Sequence, residues 1–206
     1  MAFTSYTTLK STIADYLARS DLTSQIPDFI NLAEQRLRRD LRLRQMLKVA
    51  TTTTTVNDST VALPADFLAM KDLHIDTNPV RVLQFQNTSN FFRNARTTDK
   101  GVPTMYTLLG TEFQFAPYPD AEYTLRMVYY YKPDFLSDST PSNLFLATCP
   151  DLLLYGALAE AEPYLMNDER LATWSALYDR GLASLRASDD DSEYPSSPMS
   201  ITLSTR

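Results

Sequence analysis

Residues 49–56, VATTTTTV, restrict the fold more than any other stretch of the chain. Every residue there except Ala50 is branched at Cβ. Such side chains lose χ1 freedom against a preceding helical turn but pack well on a pleated sheet, so the run favours strand and resists helix. The sequence on either side has a helical period. Upstream, Ile26, Phe29, Ile30, Ala33, Leu37 and Leu41 form one apolar stripe. Downstream, Leu153, Leu154, Ala157, Leu158, Ala161 and Leu165 form a second, and Leu171, Trp174, Leu177, Tyr178, Leu182 and Leu185 a third. Helical ends around a strand-rich middle predict an α+β fold. The expected form is an antiparallel helical bundle from both chain ends, an inserted antiparallel β-rich region, and an extended C-terminal tail. The corresponding segments are 1–47 and 144–187 for the helices, 48–143 for the insertion, and 188–206 for the tail.

Local signals refine this outline. A first helix is expected over Tyr6 to Leu17, with Thr4 or Ser5 as cap. In the second, Pro27 suits a first helical turn, Asp28 favours the positive helix end, and Glu34 precedes Arg38 by four residues in the stabilising order. Asn57 and Asp58 mark a turn into a short return strand, Thr60 to Leu63, and Met70 to Ile75 follows as another. Leu83 to Phe92 reads as a short helix with Leu83, Phe85 and Phe91 or Phe92 inward. Met105–Leu109, Glu112–Ala116 and Tyr123–Tyr131 read as an antiparallel meander, turned at Gly110–Thr111 and at PYPDAE. Pro163 should kink or end the penultimate helix, and the last should run from Asp168 to about Leu185.

Three features suggest contact with other molecules. Arg36, Arg38, Arg39, Arg42 and Arg44 make the far half of the second helix basic. This is either a solvated face with charge favourable to the helix C-terminus or an electrostatic docking face. Tyr129, Tyr130 and Tyr131 put aromatics on both faces of one strand, to be covered by core on one side and by a neighbouring subunit or a helix of the same chain on the other. The tail begins with Asp189, Asp190 and Asp191, continues through Tyr194, and ends in SITLST, with Ile201 and Leu203. It reads as extended, either without a role or ordering on a partner by adding a strand to an exposed edge.

Charge and composition argue against several functions. Residues 1–133 carry 15 Lys and Arg against 13 Asp and Glu; residues 134–206 carry 4 against 12. A net of +2 is thus followed by −8, a balance that repels nucleic-acid phosphates rather than gripping them but suits a passage through which DNA slides. Cys149 is the one cysteine, so no intrachain disulfide is expected, and His74 is the one histidine. Neither finds the companions a soft metal site or a nucleophilic pair needs. Cys149 reads as a small buried residue. Glu160 and Glu162, two apart on a helix, face different directions and are no glycosidase pair. Four glycines and no phosphate-loop pattern leave little for nucleotide binding. No signal sequence or membrane span is expected, nor any cofactor, metal or catalytic residue.

The order of blocks resembles the head-to-tail adaptor proteins of short-tailed bacteriophages, the family that includes tail tubular protein A and similar connector or head-completion proteins. The likeness rests on FINLAEQRLRRDLR (29–42), LPADFLAMKDLHI (63–75), GVPTMYTLLGTEFQFAPYPDAEYTLRMVYYYKP (101–133) and LFLATCPDLLLYGALAEAEPYLMNDERLATWSALYDRGL (144–182). The resemblance implies a non-enzymatic ring, usually dodecameric, in the virion neck and assembled in the host cytoplasm. It would join the portal protein to the tail nozzle or fibres, let DNA pass without specific contact during genome ejection, and touch no membrane. Arg36, Arg38, Arg39, Arg42, Tyr129, Tyr131, Asp189, Asp190, Asp191, Tyr194, Ile201 and Leu203 are the residues expected to meet partners. The alternatives are a particle-associated cell-wall hydrolase, for which no convincing acid pair is present, and another neck or tail structural protein.

Overall fold

The computed structural model describes residues 4–95, 99–166 and 168–193. They fall into two compact units, one drawn from both chain ends (Met1–Gln45 and Pro133–Arg206), the other from the middle (Met46–Lys132). The fold is mixed α+β, with six helices and both antiparallel and mixed sheets among the described residues.

In the terminal unit, α1 spans Tyr6–Leu17 and α2 Ile26–Asp40. α4 spans Leu144–Thr148, α5 Pro150–Leu165 and α6 Asp168–Glu193. Ser5 and Thr8 form a reciprocal capping box at the start of α1, each side chain taking the other's backbone N–H. Proline at the first turn opens both α2 and α5, where its missing N–H is no loss. α5 is buried on nearly every side, through Leu152, Leu153, Leu154, Ala157, Leu158, Ala159 and Ala161. Each fully buried leucine contributes about 2 kcal/mol. A helix apolar all round belongs at the centre of its unit, and α5 packs on both α2 and α6. Gly156 is where the three meet: a Cβ there would stand 3.0 Å from that of Ala33 and 3.5 Å from the Tyr178 ring. Pro163 lies two residues before the helix ends, and Met166 takes the left-handed cap at φ 55°.

The middle unit holds two four-stranded sheets sharing one core. The strands are β1 (Leu47–Thr53), β2 (Thr60–Ala62), β3 (Phe67–Ile75), β4 (Arg81–Val82), β5 (Gln84–Phe85), β6 (Met105–Leu109), β7 (Glu112–Ala116) and β8 (Thr124–Tyr131). The first sheet runs β1-β8-β3-β4 and the second β2-β7-β6-β5. Leu73, Ile75, Leu125, Met127 and Tyr129 face Tyr106, Phe113 and Phe115 across the core. Phe67 lies at the seam, stacked on Tyr129 at 5.8 Å and edge-on to Phe113 at 6.2 Å.

Several local expectations need correction. Thr60–Ala62 does not return along β1; it pairs with β7 in the other sheet. Asn57 takes a left-handed φ of 63° and donates its N–H to the Pro119 carbonyl, which turns the chain away from β1. The meander likewise breaks. Gly110, at φ 58°, turns β6 into β7, but β8 crosses to the first sheet and lies between β1 and β3. The inserted region is not wholly antiparallel, because β5 runs parallel to β6. Helix does not begin at Leu83; α3 spans Thr88–Asn94, starting where the Asn87 side chain accepts the Asn90 N–H. Leu83 and Phe91 are buried as expected, whereas Phe85 and Phe92 are exposed. Residues 188–193, expected to be extended, are the last turns of α6.

Candidate functional site

The second half of α2 presents Arg36, Arg38 and Arg39, whereas Arg42 and Arg44, expected on the same helix, follow its end at Asp40, where Leu41 turns to an extended backbone; most of the five are engaged within the terminal unit. Arg36 lies 3.8 Å from Asp40 and 3.5 Å from Asp179 of α6, with its guanidinium 4.0 Å above the Tyr178 ring. Tyr178 is fully buried and donates its hydroxyl to Asp40 at 3.2 Å; burial, then the Asp40 charge, pushes its pKa up. Arg38 covers the Phe135 ring at 3.4 Å and donates to the Pro133 carbonyl, while its Nε is buried without a partner. Burial pushes its pKa down, opposed by the Glu34 and Asp134 charges. Arg42 donates to the Arg38 and Leu41 carbonyls and is exposed, as is Arg39. The basic face is therefore neither simply solvated nor wholly free for docking; it fastens α2 to α6 and to the chain after Pro133.

Glu34 is the polar centre of this arrangement, although the sequence reading used it only as the i, i+4 partner of Arg38. It is 1% exposed, turned inward rather than paired at the surface. Its carboxylate accepts the Leu136 N–H at 3.1 and 3.2 Å and the Asn143 amide at 2.5 Å. The same Asn143 side chain caps α4 by accepting the Leu146 N–H. Burial raises the Glu34 pKa, against these hydrogen bonds and Arg38. The sequence signal was available: Glu34 follows Ile30 by four residues, inside the apolar stripe.

The acidic end of α6 meets the 3-10 turn Arg44–Met46 that follows α2. The Asp189 carboxylate accepts the Arg44 N–H at 3.0 and 3.2 Å, and the Arg44 guanidinium donates to the Ser192 carbonyl at 2.9 Å. Acids at a helix C-terminus oppose the helix dipole, and this arginine offsets them while satisfying a terminal carbonyl. Asp190 and Asp191 are exposed. Tyr194, Ile201 and Leu203 lie outside the described residues.

In the middle unit Tyr129 is a core residue, 1% exposed, and donates its hydroxyl to Asp66 at 2.9 Å. Lys48 reaches the same carboxylate at 2.6 Å and lies 5.8 Å from the half-buried Tyr131 ring. Burial acts to raise the Asp66 pKa, but the hydrogen bonds from Lys48 and Tyr129 outweigh it and hold the group below its ordinary range. His74 contacts Asp72 at 3.1 Å, and the described residues contain no group of three potential metal ligands. Burial, then the Asp151 charge, pushes the Cys149 thiol up to about 12, so it is not poised as a nucleophile. No helix among the described residues is long and apolar enough to cross a membrane.

No curated protein matches the chain. The family model described as SU10 adaptor protein matches residues 4–201. A match of that extent agrees with the block-by-block resemblance to phage head-to-tail adaptors and points to a structural part in the phage neck. The chain belongs to the SU10 adaptor protein family.

Proposed function

We propose that the protein is the adaptor ring between the phage portal and the tail nozzle or fibres, dodecameric on the particle, and that it forms part of the DNA channel. The family match over residues 4–201 carries this reading. The arrangement of side chains supports it. Each unit has its own core, and in the terminal unit Arg36 on α2 and Arg44 in the turn after it bind Asp179 and Asp189 of α6 and hold the helices together. A part that carries load between two assemblies needs such fixed geometry. Partner contact falls to the exposed Arg39 on α2, Arg42 just beyond its end, and Asp190 and Asp191 on the last turns of α6, with the half-buried Tyr131 at the end of β8. Residues 188–206 are the portal-directed end of the chain. The negative excess after residue 134 rims the channel, where repulsion keeps DNA from adhering during ejection.

Sedimentation velocity of the protein, alone and mixed with portal rings from the same phage, tests the reading. Docking predicts a new, larger species whose added mass corresponds to many copies. A portal boundary that does not move refutes direct docking.

A further inference from the structure

Met166 is the most exposed large apolar residue among those described, at 91%. It stands where α5 ends, at φ 55° and ψ 35°, and its N–H donates to the Glu162 and Pro163 carbonyls. Glycine or asparagine takes such a left-handed cap at least cost. A long apolar residue there is unfavourable to the isolated chain twice over, in its backbone and in its exposure, and a backbone outlier of this kind points to a use outside the fold. Tyr164, two residues earlier, is 56% exposed and lies edge-on to Phe29 at 5.6 Å. The end of α5 is thus an apolar knob, and two acids, Asp168 and Glu169, follow it in sequence as α6 opens.

The middle unit has a groove of matching character, with a volume of about 600 Å³. Leu63, Phe67 and Leu108 line it and are also packed on the core of the unit. Pro64 and Leu68, both half-buried, continue the apolar lining. Backbone hydrogen bonds fix these segments: the Leu63 N–H donates to Thr111 at 2.9 Å, the Phe67 N–H to Pro64 at 3.0 Å and the Lys132 N–H to Asp66 at 2.7 Å. The groove is therefore formed before anything enters it. Lys132 is the one charged residue in its lining; it is exposed, and no acid among the described residues pairs with its ammonium.

We propose that Met166 of one copy seats in this groove on a second copy. Methionine is unbranched and polarizable, fills irregular apolar space and makes favourable contact with an aromatic ring, which Phe67 supplies. Asp168 is two residues from Met166, within about 7 Å along the chain, so an acidic position arrives close to the unpaired Lys132. Knob and groove are different places on identical molecules, a heterologous contact of the kind that closes into rings. One inserted side chain covers far less than the roughly 1,200 Å² that a stable interface buries. The contact is accordingly one anchor among those made when copies are set side by side on the particle. The inference rests on the adaptor reading in that respect, and goes beyond it by naming the residue and the groove that join neighbouring copies.

Phage particles are prepared with full-length chains carrying Met166→Cys together with Leu68→Cys or Thr111→Cys, oxidised, and run on a non-reducing gel. The native Cys149 is 2% exposed and stays out of the reaction. The proposal expects a ladder of linked copies in at least one double variant and none in the single variants. Met166→Gly separates docking from folding. Glycine suits the left-handed cap, so the melting temperature of the isolated protein should hold, whereas the yield of particles retaining the chain should fall about tenfold. Met166→Leu should keep most of that yield. Intact particles whose copies stay unlinked in both double variants overturn the proposal, as does Met166→Gly retained at the wild-type level. Linkage of Leu68→Cys alone to the portal or a tail protein would put another occupant in the groove and overturn it too. Particles that lack the wild-type chain refute the adaptor reading itself and the contact with it, a result distinct from copies that are present but unlinked.

Discussion

Glu34→Ala tests whether one buried carboxylate holds the chain from Leu136 to Asn143 onto α2. The substitution leaves the Leu136 N–H without its acceptor, a loss of about 1–3 kcal/mol for a buried donor. Asn143 keeps its bond to the Asp134 carbonyl at 2.8 Å, so its loss is partial. The missing side-chain atoms leave a void, and release of a desolvated charge returns part of the cost. The expected net destabilisation is about 3 kcal/mol. Trp174 is the one tryptophan in the sequence and lies in the same unit, stacked on Tyr155 at 6.1 Å and donating to Glu162 at 3.0 Å. Its fluorescence in urea therefore reports unfolding of that unit. Hydrogen exchange at the Leu136 amide should accelerate in parallel. A loss under about 0.5 kcal/mol, with Leu136 still protected, would refute the anchoring role. Glu34→Gln adds a pH signature. Burial raises the folded-state pKa above the ordinary 4.5, so the folded chain binds the proton more tightly than the unfolded one. The Glu34 contribution is then greatest below that ordinary value and declines as pH rises through the raised pKa. Measured against wild type, the Gln variant should gain relative stability as pH increases from 4.5; an opposite slope would contradict the burial argument.

In the middle unit, Asp66→Ala should destabilise by about 1 kcal/mol because the buried Tyr129 loses the acceptor of its hydroxyl, measured by thermal melting with tyrosine emission or near-UV dichroism. The Asp66 pKa is depressed in the folded state, so the wild-type advantage is present above the ordinary 3.8 and disappears as pH falls through the lower folded value. Cys149, with its thiol pushed up to about 12 and its side chain buried, should react with a thiol reagent at pH 8 only after denaturant is added. Rapid stoichiometric labelling of the native protein would show that the site opens.

The sequence made local structure legible where one periodicity dominated, and obscured it where distant packing decided. The stripe from Ile26 to Leu41 and the first-turn Pro27 gave α2 because both signals are local. VATTTTTV announced a strand for the same reason. Which sheet each strand enters was hidden, since β2 and β8 reach partners that are remote in sequence and are matched through the shared aromatic core. At Asp189 to Asp191 the composition suggests an extended chain, but Arg44, more than a hundred residues earlier, satisfies both Asp189 and the Ser192 carbonyl and sustains the helix. The arginine face was visible as a basic run, yet its use was not: spacing along α2 could not show that Asp179, Tyr178 and Phe135 would lie against it. Tyr129 was singled out as an aromatic contact, and the alternation of β8 puts it in the core instead.

Cryo-electron microscopy of the phage neck tests the central claim most directly. The account predicts a ring of this chain directly against the portal, with density for α5 flanked by α2 and α6 in each copy and the tail machinery attached on the far side. A portal that contacts the tail with no copy of this chain between them, or this chain found elsewhere on the particle, would contradict it.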